Sequence, residues 1–170
     1  MTVVVGSMEA LRAEHRTLLP HIDAMARVAR EAMTGSPGVL RAEVGRVLAF
    51  MHEHLLPHAA AEDEVLYPAV ERAMGASGAT ATMRRDHVEV GRFVERLAEL
   101  YAGIDERLDV QSRLRLTEVL YSLHAVVALH FAKEEEIYVP LLEQQLSVEQ
   151  AHSLLQEMEG HAMQHRHGAD

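Results

Sequence analysis

Apolar side chains recur at steps of three, four and seven residues along most of this chain, which is the pattern of amphipathic α-helices. The first run extends over residues 8–33, and the turn-forming stretch TGSPG separates it from a second run over residues 39–74. A third run covers residues 81–102, and the segment GIDERLD lies between it and a fourth over residues 110–145. Four long helices with short connections predict an all-α fold, an up-down-up-down four-helix bundle.

The end of the chain shows a shorter pattern. Ser147 and Gln150 have the spacing of a capping box, which predicts a short C-terminal helix that ends at about Gly160. The histidines beyond this point are His161, His165 and His167. The first two are four residues apart and could bind a metal, but we expect a solvated, frayed tail here.

Four prolines lie within or close to the predicted helices: Pro20, Pro57, Pro68 and Pro140. A proline in a helix interior removes one backbone hydrogen bond, and its ring clashes with the preceding turn. We therefore expect a bend near Pro57.

Length and composition limit the classes of protein to consider. At 170 residues the chain has the usual size of one domain. We expect a single domain over residues 1–170, with the core bundle at about 8–145 and the C-terminal helix and tail at 147–170. The chain has no cysteine, which excludes disulfides, thiolate zinc sites, cysteine-ligated iron–sulfur clusters and a cysteine nucleophile. Any metal must therefore bind nitrogen and oxygen atoms.

Charge and hydropathy argue against two classes of partner. The net charge is -10 with neutral histidines, and the basic residues are scattered among acids, so we expect no nucleic-acid partner. No apolar stretch approaches the length of a membrane span, and no basic region precedes the short apolar run at the amino terminus. We expect a cytoplasmic protein without a membrane partner, and its oligomeric state stays open between monomer and homodimer.

An internal repeat relates residues 15–68 to residues 87–140 at a constant offset of 72 positions. The segment HAAAEDEVLYP corresponds to HFAKEEEIYVP. The matched pairs are His15 with His87, His58 with His130, Glu62 with Glu134, Glu64 with Glu136, and Pro68 with Pro140. Two helix pairs related by a pseudo-twofold axis would direct these histidines and glutamates into a shared interior, so the repeat predicts a symmetric site.

The chemistry of this set favours metal binding. His58 and Glu62 are four residues apart, which places an imidazole and a carboxylate on one face of a helix, and His130 and Glu134 repeat the spacing. His15 and His87 would add one imidazole each from facing helices. Imidazole and carboxylate suit iron, zinc, copper or manganese, so the residues alone leave the metal open. Two six-coordinate metals with these ligands and a shared oxygen would keep roughly two positions free for a small molecule.

These residues resemble the hemerythrin-like, or histidine-histidine-glutamate cation-binding, family over about residues 11–142. The resemblance is carried by both HxxxE pairs, by LYP at 66–68 and YVP at 138–140, and by AEH and RDH at the start of each repeat. It implies a non-haem di-iron centre bridged by two carboxylates and an oxygen. The ligands that it implies are His15, His58, Glu62, His87, His130 and Glu134.

One departure from the family pattern bears on function. Oxygen-carrying members have a second ligand histidine four residues from the one equivalent to His87, and this chain has Met83 and Gly91 there. We therefore expect a protein that reacts with or senses dioxygen, peroxide or nitric oxide, as an oxidoreductase if it is an enzyme. The alternative is an iron module for storage, delivery or iron–sulfur cluster repair without turnover. This alternative ranks second. Family members that resemble iron–sulfur cluster repair proteins often have a cysteine-bearing amino-terminal segment, whereas this chain begins its first helix almost at once.

Neighbouring polar residues are assigned more ordinary roles. We expect His21, His52 and His124 to lie at the surface, or in the core with their hydrogen bonds made. We expect His54 to lie at most behind the metal ligands, because its repeat partner is Val126. A solvated acidic face is expected for Glu14, Glu53, Asp63, Asp86 and Glu135, any one of which could orient an imidazole. For Tyr67 and Tyr138 we favour core packing, with the alternative that a phenol approaches the cavity as a hydrogen-bond donor or an extra ligand. Met83 and Gly91 are expected to set the room and polarity at the open positions.

Overall fold

The computed structural model describes residues 7–167, which form five helices and no strand. The helices are α1 (Glu9–Glu31), α2 (residues 37–74), α3 (Ala81–Ala102), α4 (residues 110–145) and α5 (Val148–His167). The first four form a ring in which α1 and α3 each contact both α2 and α4. This is the predicted four-helix bundle, with α5 added to it. None of the helices in the described part of the chain is long and apolar enough to cross a bilayer.

Helices α2 and α4 stay continuous through their prolines by widening locally. Three π-helical turns lie within these two helices, at Met51–Leu55, Glu62–Leu66 and Glu134–Tyr138. Each turn ends two residues before a proline, namely Pro57, Pro68 and Pro140. The wider turn keeps the helix going where the proline ring would otherwise meet the preceding carbonyl. A π-helical turn is a recognised cause of helix bending, so the structure places such a cause just before Pro57, where the bend is predicted.

The bundle interior contains two apolar clusters with a polar layer between them. One cluster includes Leu18 and Leu55, and the other includes Leu11 and Ala61. His15 on α1 and His58 on α2 therefore lie between the two clusters along their helices. The buried residues of α3 and of α4 also belong to one cluster at one end of the helix and to the other cluster at the other end. All four helices therefore bring their predicted ligands to one level of the bundle.

Helix α5 is longer than the sequence predicts. The capping box at its start is confirmed, since the Ser147 N–H donates to Gln150 Oε1 at 2.9 Å and the Gln150 N–H donates to Ser147 Oγ at 3.2 Å. The predicted end at Gly160 and the frayed tail are wrong, because the helix continues to His167. Its apolar face extends past the glycine and packs in the second apolar cluster through Ala151, Leu154, Met158 and Ala162. Residues 168–170 of the predicted tail lie outside the described residues.

Candidate metal centre

The structure brings all six predicted ligands together inside the bundle. His15 comes from α1, His87 from α3, and the two HxxxE pairs come from α2 and α4. His15, His58, Glu62, His130 and Glu134 are buried, and the side chain of His87 is only 10% exposed. Buried charged groups are rare in protein cores unless they are paired or bind a metal.

A first group consists of His15, His58, Glu62 and Glu134. One ligand atom from each lies within 4.8 Å of the others. His58 Nε2 is 2.8 Å from Glu62 Oε1, and His15 Nε2 is 3.6 Å from Glu134 Oε2. Two imidazole nitrogens and two carboxylate oxygens therefore surround one point, which is a suitable set for a divalent transition metal.

A second group lies on the other side of the same carboxylates. It consists of Glu62, His87 and His130. Glu62 Oε2 is 3.3 Å from His87 Nε2 and 3.8 Å from His130 Nε2, while Glu134 Oε1 is 3.4 Å from His130 Nε2. Each glutamate thus directs one oxygen to each histidine pair, which is the arrangement of a carboxylate that bridges two cations.

Several of these polar atoms are buried without a hydrogen bond among the described residues. They are His15 Nε2, His58 Nε2, Glu62 Oε1 and Glu134 Oε2, of which His58 Nε2 and Glu62 Oε1 lie 2.8 Å apart without the alignment of a hydrogen bond. Leaving a buried polar atom unpaired costs about 1–3 kcal/mol, so four such atoms in one place require an explanation. All four belong to the first group and point to its centre. A cation bound there would satisfy them, so the residues fit the metal that the sequence predicts.

The charges within this layer are strongly coupled. Burial alone lowers the pKa of His130, but its contacts with Glu134 and Glu62 outweigh burial and raise the pKa to about 10. The pKa of His58 is raised in the same way by Glu62 and Glu14 against the effect of burial. Because a metal binds the neutral imidazole, each proton held here must leave when a cation enters. The carboxylates that stabilise these protons would then stabilise the cation.

Each of the four histidines also has an acid on its outer nitrogen. The Nδ1 atoms of His15, His58, His87 and His130 lie 2.6, 3.1, 3.1 and 3.2 Å from Glu135, Glu14, Asp63 and Asp86 respectively. Such an acid fixes which ring nitrogen is protonated and turns the other towards the metal. These four acids keep 25–42% of their side chains exposed, so they combine partial solvation with the orienting role that the sequence left open for such an acid. Glu53 is exposed as predicted. The signal that could have found them is the repeat, because Glu14 matches Asp86 and Asp63 matches Glu135 at the same offset.

Tyr67 is the main contributor that sequence reasoning ranked too low. It is fully buried, and its hydroxyl donates to Glu134 Oε1 at 2.7 Å and lies 3.0 Å from His130 Nε2. Burial and the nearby Glu62 and Glu134 raise its pKa above the ordinary tyrosine value, so the phenol holds its proton. Tyr67 is buried in the second apolar cluster, which confirms the core packing predicted for it, and its hydroxyl in addition contacts two of the predicted ligands. Tyr138 packs partly buried against the same cluster as predicted.

A π-helical turn explains how Tyr67 reaches the centre. Its backbone N–H bonds to the carbonyl of Glu62, five residues earlier, which stacks the two residues one above the other. In a regular α-helix a residue five positions on lies about 140° around the axis. The irregular turn therefore turns Tyr67 to the side of the helix that carries Glu62.

Three cavities border the site. A small one of about 20 Å³ touches His58, Glu62, His87 and His130, and its remaining walls are Leu55, Ala59, Val90, Val127 and Phe131. Neither Met83 nor Gly91 lines it, so their influence on the open coordination positions stays a prediction. Two larger cavities of about 420 Å³ each reach the outer sides of the centre, one at His58 and Glu14 under α5 and one at His15 and Glu135.

The remaining histidines lie away from the centre. His54 and His52 are exposed, and His54 contacts the ring of Phe50. His21 is exposed, and its ring stacks on the ring of Phe50 with 4.6 Å between the two centroids. His124 is partly buried, 4.0 Å from Asp23. These positions agree with the surface and packing roles predicted for them.

Comparison with known proteins supports the metal chemistry of this site. A curated relative from Cronobacter sakazakii, the iron-sulfur cluster repair protein YtfE, is 28% identical over 114 residues, covering 56% of this chain and 51% of its own. Its namesake from Escherichia coli O157:H7 is 29% identical over 85 residues, 49% of this chain and 38% of that one. The chain thus spans about half or less of the length of these relatives, and no solved structure matches it significantly. Residues 7–142 match the hemerythrin HHE cation-binding domain, whose histidine and glutamate chemistry suits iron. This chain belongs to the hemerythrin HHE cation-binding domain family.

Proposed function

We propose that this chain is an iron-handling protein that holds two iron ions and delivers iron in the repair of iron–sulfur clusters. The observation that carries the proposal is the pair of buried glutamates, each of which directs its two oxygens to two different histidine pairs. The relatives described above are named iron–sulfur cluster repair proteins. This was the alternative of the sequence analysis, and the comparisons favour it over reaction with dioxygen, peroxide or nitric oxide.

The donor set suits two irons in particular. His15 and His58 would hold one ion and His87 and His130 the other, with Glu62 and Glu134 shared between them. Neutral imidazole and carboxylate are ligands for ferrous and ferric iron, and two negative bridges offset much of the charge of two cations. The four acids on the outer nitrogens keep the imidazoles oriented before any metal arrives.

Delivery also requires a route by which iron can enter and leave. The two larger cavities supply one on each side, because each reaches a ligand histidine and the acid on its outer nitrogen. The side chain of Glu14 is 42% exposed and that of Glu135 is 30% exposed, whereas the histidines they contact are almost fully buried. A hydrated cation could therefore exchange water for these carboxylates before it reaches the buried layer.

A second candidate function rests on the small cavity. Its volume of about 20 Å³ is enough for one water-sized ligand, and most of its wall is aliphatic or aromatic. A dry pocket beside two open coordination positions favours a diatomic molecule or peroxide over a larger substrate. We therefore keep reaction with dioxygen, peroxide or nitric oxide as the competing function. For both functions we propose the cytoplasm as the location.

Chelator competition separates the two functions. The full chain would be loaded with ferrous iron without oxygen, its iron content measured, and a coloured ferrous chelator added, with and without an apo-protein that accepts an iron–sulfur cluster. About two irons per chain, lost within minutes and recovered in the acceptor, are expected for delivery. Retained iron together with rapid consumption of peroxide would contradict delivery and support the second function.

The control for this experiment comes from the repeat. Glu136→Gln changes an exposed acid two residues from Glu134 and has no hydrogen bond or ion pair to lose among the described residues. It should load and release iron as the native chain does. One zinc ion or no metal in the native chain, after growth in iron-replete medium, would contradict the di-iron centre itself.

A further inference from the structure

A second cluster of metal-binding side chains lies on the outside of the bundle, where α5 crosses α2. His161 and His165, one helical turn apart on α5, both contact the carboxylate of Glu64 on α2. His161 Nδ1 hydrogen-bonds to Oε2, and His165 Nε2 lies 3.2 Å from Oε1. The three side chains are 34%, 42% and 46% exposed, so water reaches all of them.

We propose that His161, His165 and Glu64 form a solvent-accessible site for a divalent transition-metal cation, separate from the buried centre. Two histidines four residues apart on one helix present their nitrogens on the same face, which is a recurring way to bind such a cation. A carboxylate from a second helix supplies the third ligand, and water completes the coordination. The donors are nitrogen and oxygen atoms, which suit zinc or ferrous iron better than calcium or magnesium.

The helices hold the backbone of each donor in place before a metal binds, and the side chains would turn to meet the cation. Met158 and Ala162, on either side of His161 along α5, are buried in the second apolar cluster with Val65, the residue after Glu64. The backbone that carries each ligand is therefore fixed by packing rather than by the ligands themselves. Ligands on rigid elements lose less conformational freedom when a metal binds.

The composition of the cluster points to a cation rather than to a simple ion pair. Among the described residues, the only hydrogen-bonding and ion-pair partners of Glu64 are these two imidazoles, and no arginine or lysine contacts it. Elsewhere on the surface, acids pair with guanidinium groups, as Glu43 does with Arg27 and Arg46. Two imidazole nitrogens and one carboxylate are donors that a divalent transition-metal cation binds, and no basic side chain has to be displaced from Glu64 first.

The two histidines of this cluster lie outside both the internal repeat and the family match. Glu136 is the counterpart of Glu64, and it is exposed without a hydrogen bond or ion pair among residues 7–167. The difference comes from α5, whose histidines reach Glu64 on α2. The family match ends at residue 142, before α5 begins. Nothing in the buried di-metal arrangement therefore requires His161 or His165.

Calorimetric titration with zinc tests the site on the full chain after its buried centre has been filled with iron. The native protein should bind one zinc ion beyond its iron content. The double variant His161→Ala/His165→Ala should lose this event, and Glu64→Gln should bind zinc at least tenfold more weakly. Glu136→Gln and His152→Ala, an exposed histidine on the same helix, are matched controls and should bind as the native chain does.

Thermal unfolding supplies a readout that does not depend on the iron. A cation that binds only the folded state raises the unfolding temperature, and zinc should do so for the native chain and both controls but not for the double variant. Absence of the extra zinc in the native chain would overturn the proposal. Retention of full affinity in Glu64→Gln would also overturn it, because the histidines would then bind zinc without α2. Iron content measured before each titration keeps failure of the buried centre distinct from failure of this site.

Discussion

Each half of the bundle carries three of the six predicted ligands, but the two halves do not surround them in the same way. In the first half, Tyr67 follows the HxxxE pair and reaches the centre, while its counterpart in the second half is the buried Val139. The first half is also covered by α5, and Glu64 is held by two histidines, while Glu136 stays exposed. For the two proposed metal positions, the repeat would therefore set the binding atoms, and the differences between the halves would set how each metal is approached.

This difference makes the two metal positions unequal. The hydroxyl of Tyr67 lies beside His130 and His87, and no hydroxyl among the described residues occupies the matching place beside His15 and His58. The position near His58 instead faces the cavity under α5. Two metals in a symmetric cage would thus have different neighbours, which is useful when only one of them must react or leave.

The largest expected effect follows from removing a bridge. Glu62→Ala and Glu134→Ala each take away oxygens that face both histidine pairs, so each should reduce the iron content from about two ions per chain to one or fewer. Metal analysis after loading measures this, with circular dichroism as the check of folding. If either variant kept both ions, the bridging arrangement would be wrong.

Shortening a core side chain of α5 should have the next largest effect. Met158 is 5% exposed in the second apolar cluster, and Met158→Ala should lower the free energy of unfolding by about 2–5 kcal/mol. Urea unfolding measures the change, and Val148→Ala, at a position 67% exposed on the same helix, should change it by less than about 0.5 kcal/mol. A small effect of Met158→Ala would mean that α5 is not packed on the first half as described.

The acids on the outer histidine nitrogens test how far the halves are equivalent. Glu14→Ala and Asp86→Ala occupy matched positions, and each should lower metal affinity about 10- to 100-fold because an imidazole loses its orienting partner. Asp86→Ala should be the more harmful of the two, since it also leaves Lys133 without its acid beside His130. Competition with a chelator of known affinity gives both values, and Glu53→Ala, at an exposed position, is the control.

The smallest expected effect concerns Tyr67 itself. Tyr67→Phe removes the hydroxyl that distinguishes the halves, so the two iron sites should become more alike and metal affinity should fall less than about tenfold. Mössbauer spectra of the iron-loaded variant should show two quadrupole doublets that are more alike than those of the native chain. Tyr138→Phe, at the partly buried tyrosine away from the ligands, should leave the spectrum unchanged.

The bundle and the metal layer could be predicted because periodicity and repetition are properties of the sequence itself. The four helices follow from apolar spacing, and α3 has the predicted ends at Ala81 and Ala102. The six ligands were grouped from one offset and one HxxxE spacing, and the structure brings them together. Both arguments use many positions at once, so one unusual residue does not upset them.

The features that were predicted wrongly or only in part depend on single residues or on tertiary contacts. Gly160 was taken as the end of α5, but the burial of Ala162 beyond it keeps the helix going. Tyr67 was assigned to core packing, and the π-helical turn that brings its hydroxyl to the side of Glu62 was not visible in the apolar pattern. The four acids beside the ligands were given the role that most surface acids have.

The π-helical turns also show how closely the two halves correspond. The turns at Glu62–Leu66 and Glu134–Tyr138 occupy the same place in each half, at the offset of the repeat. The turn at Met51–Leu55 has only regular α-helix at its counterpart in α4, although the offset of 72 positions is the same before and after it. An inserted residue in one half would have changed that offset. The two halves therefore differ there in the register of their backbone hydrogen bonds and not in chain length.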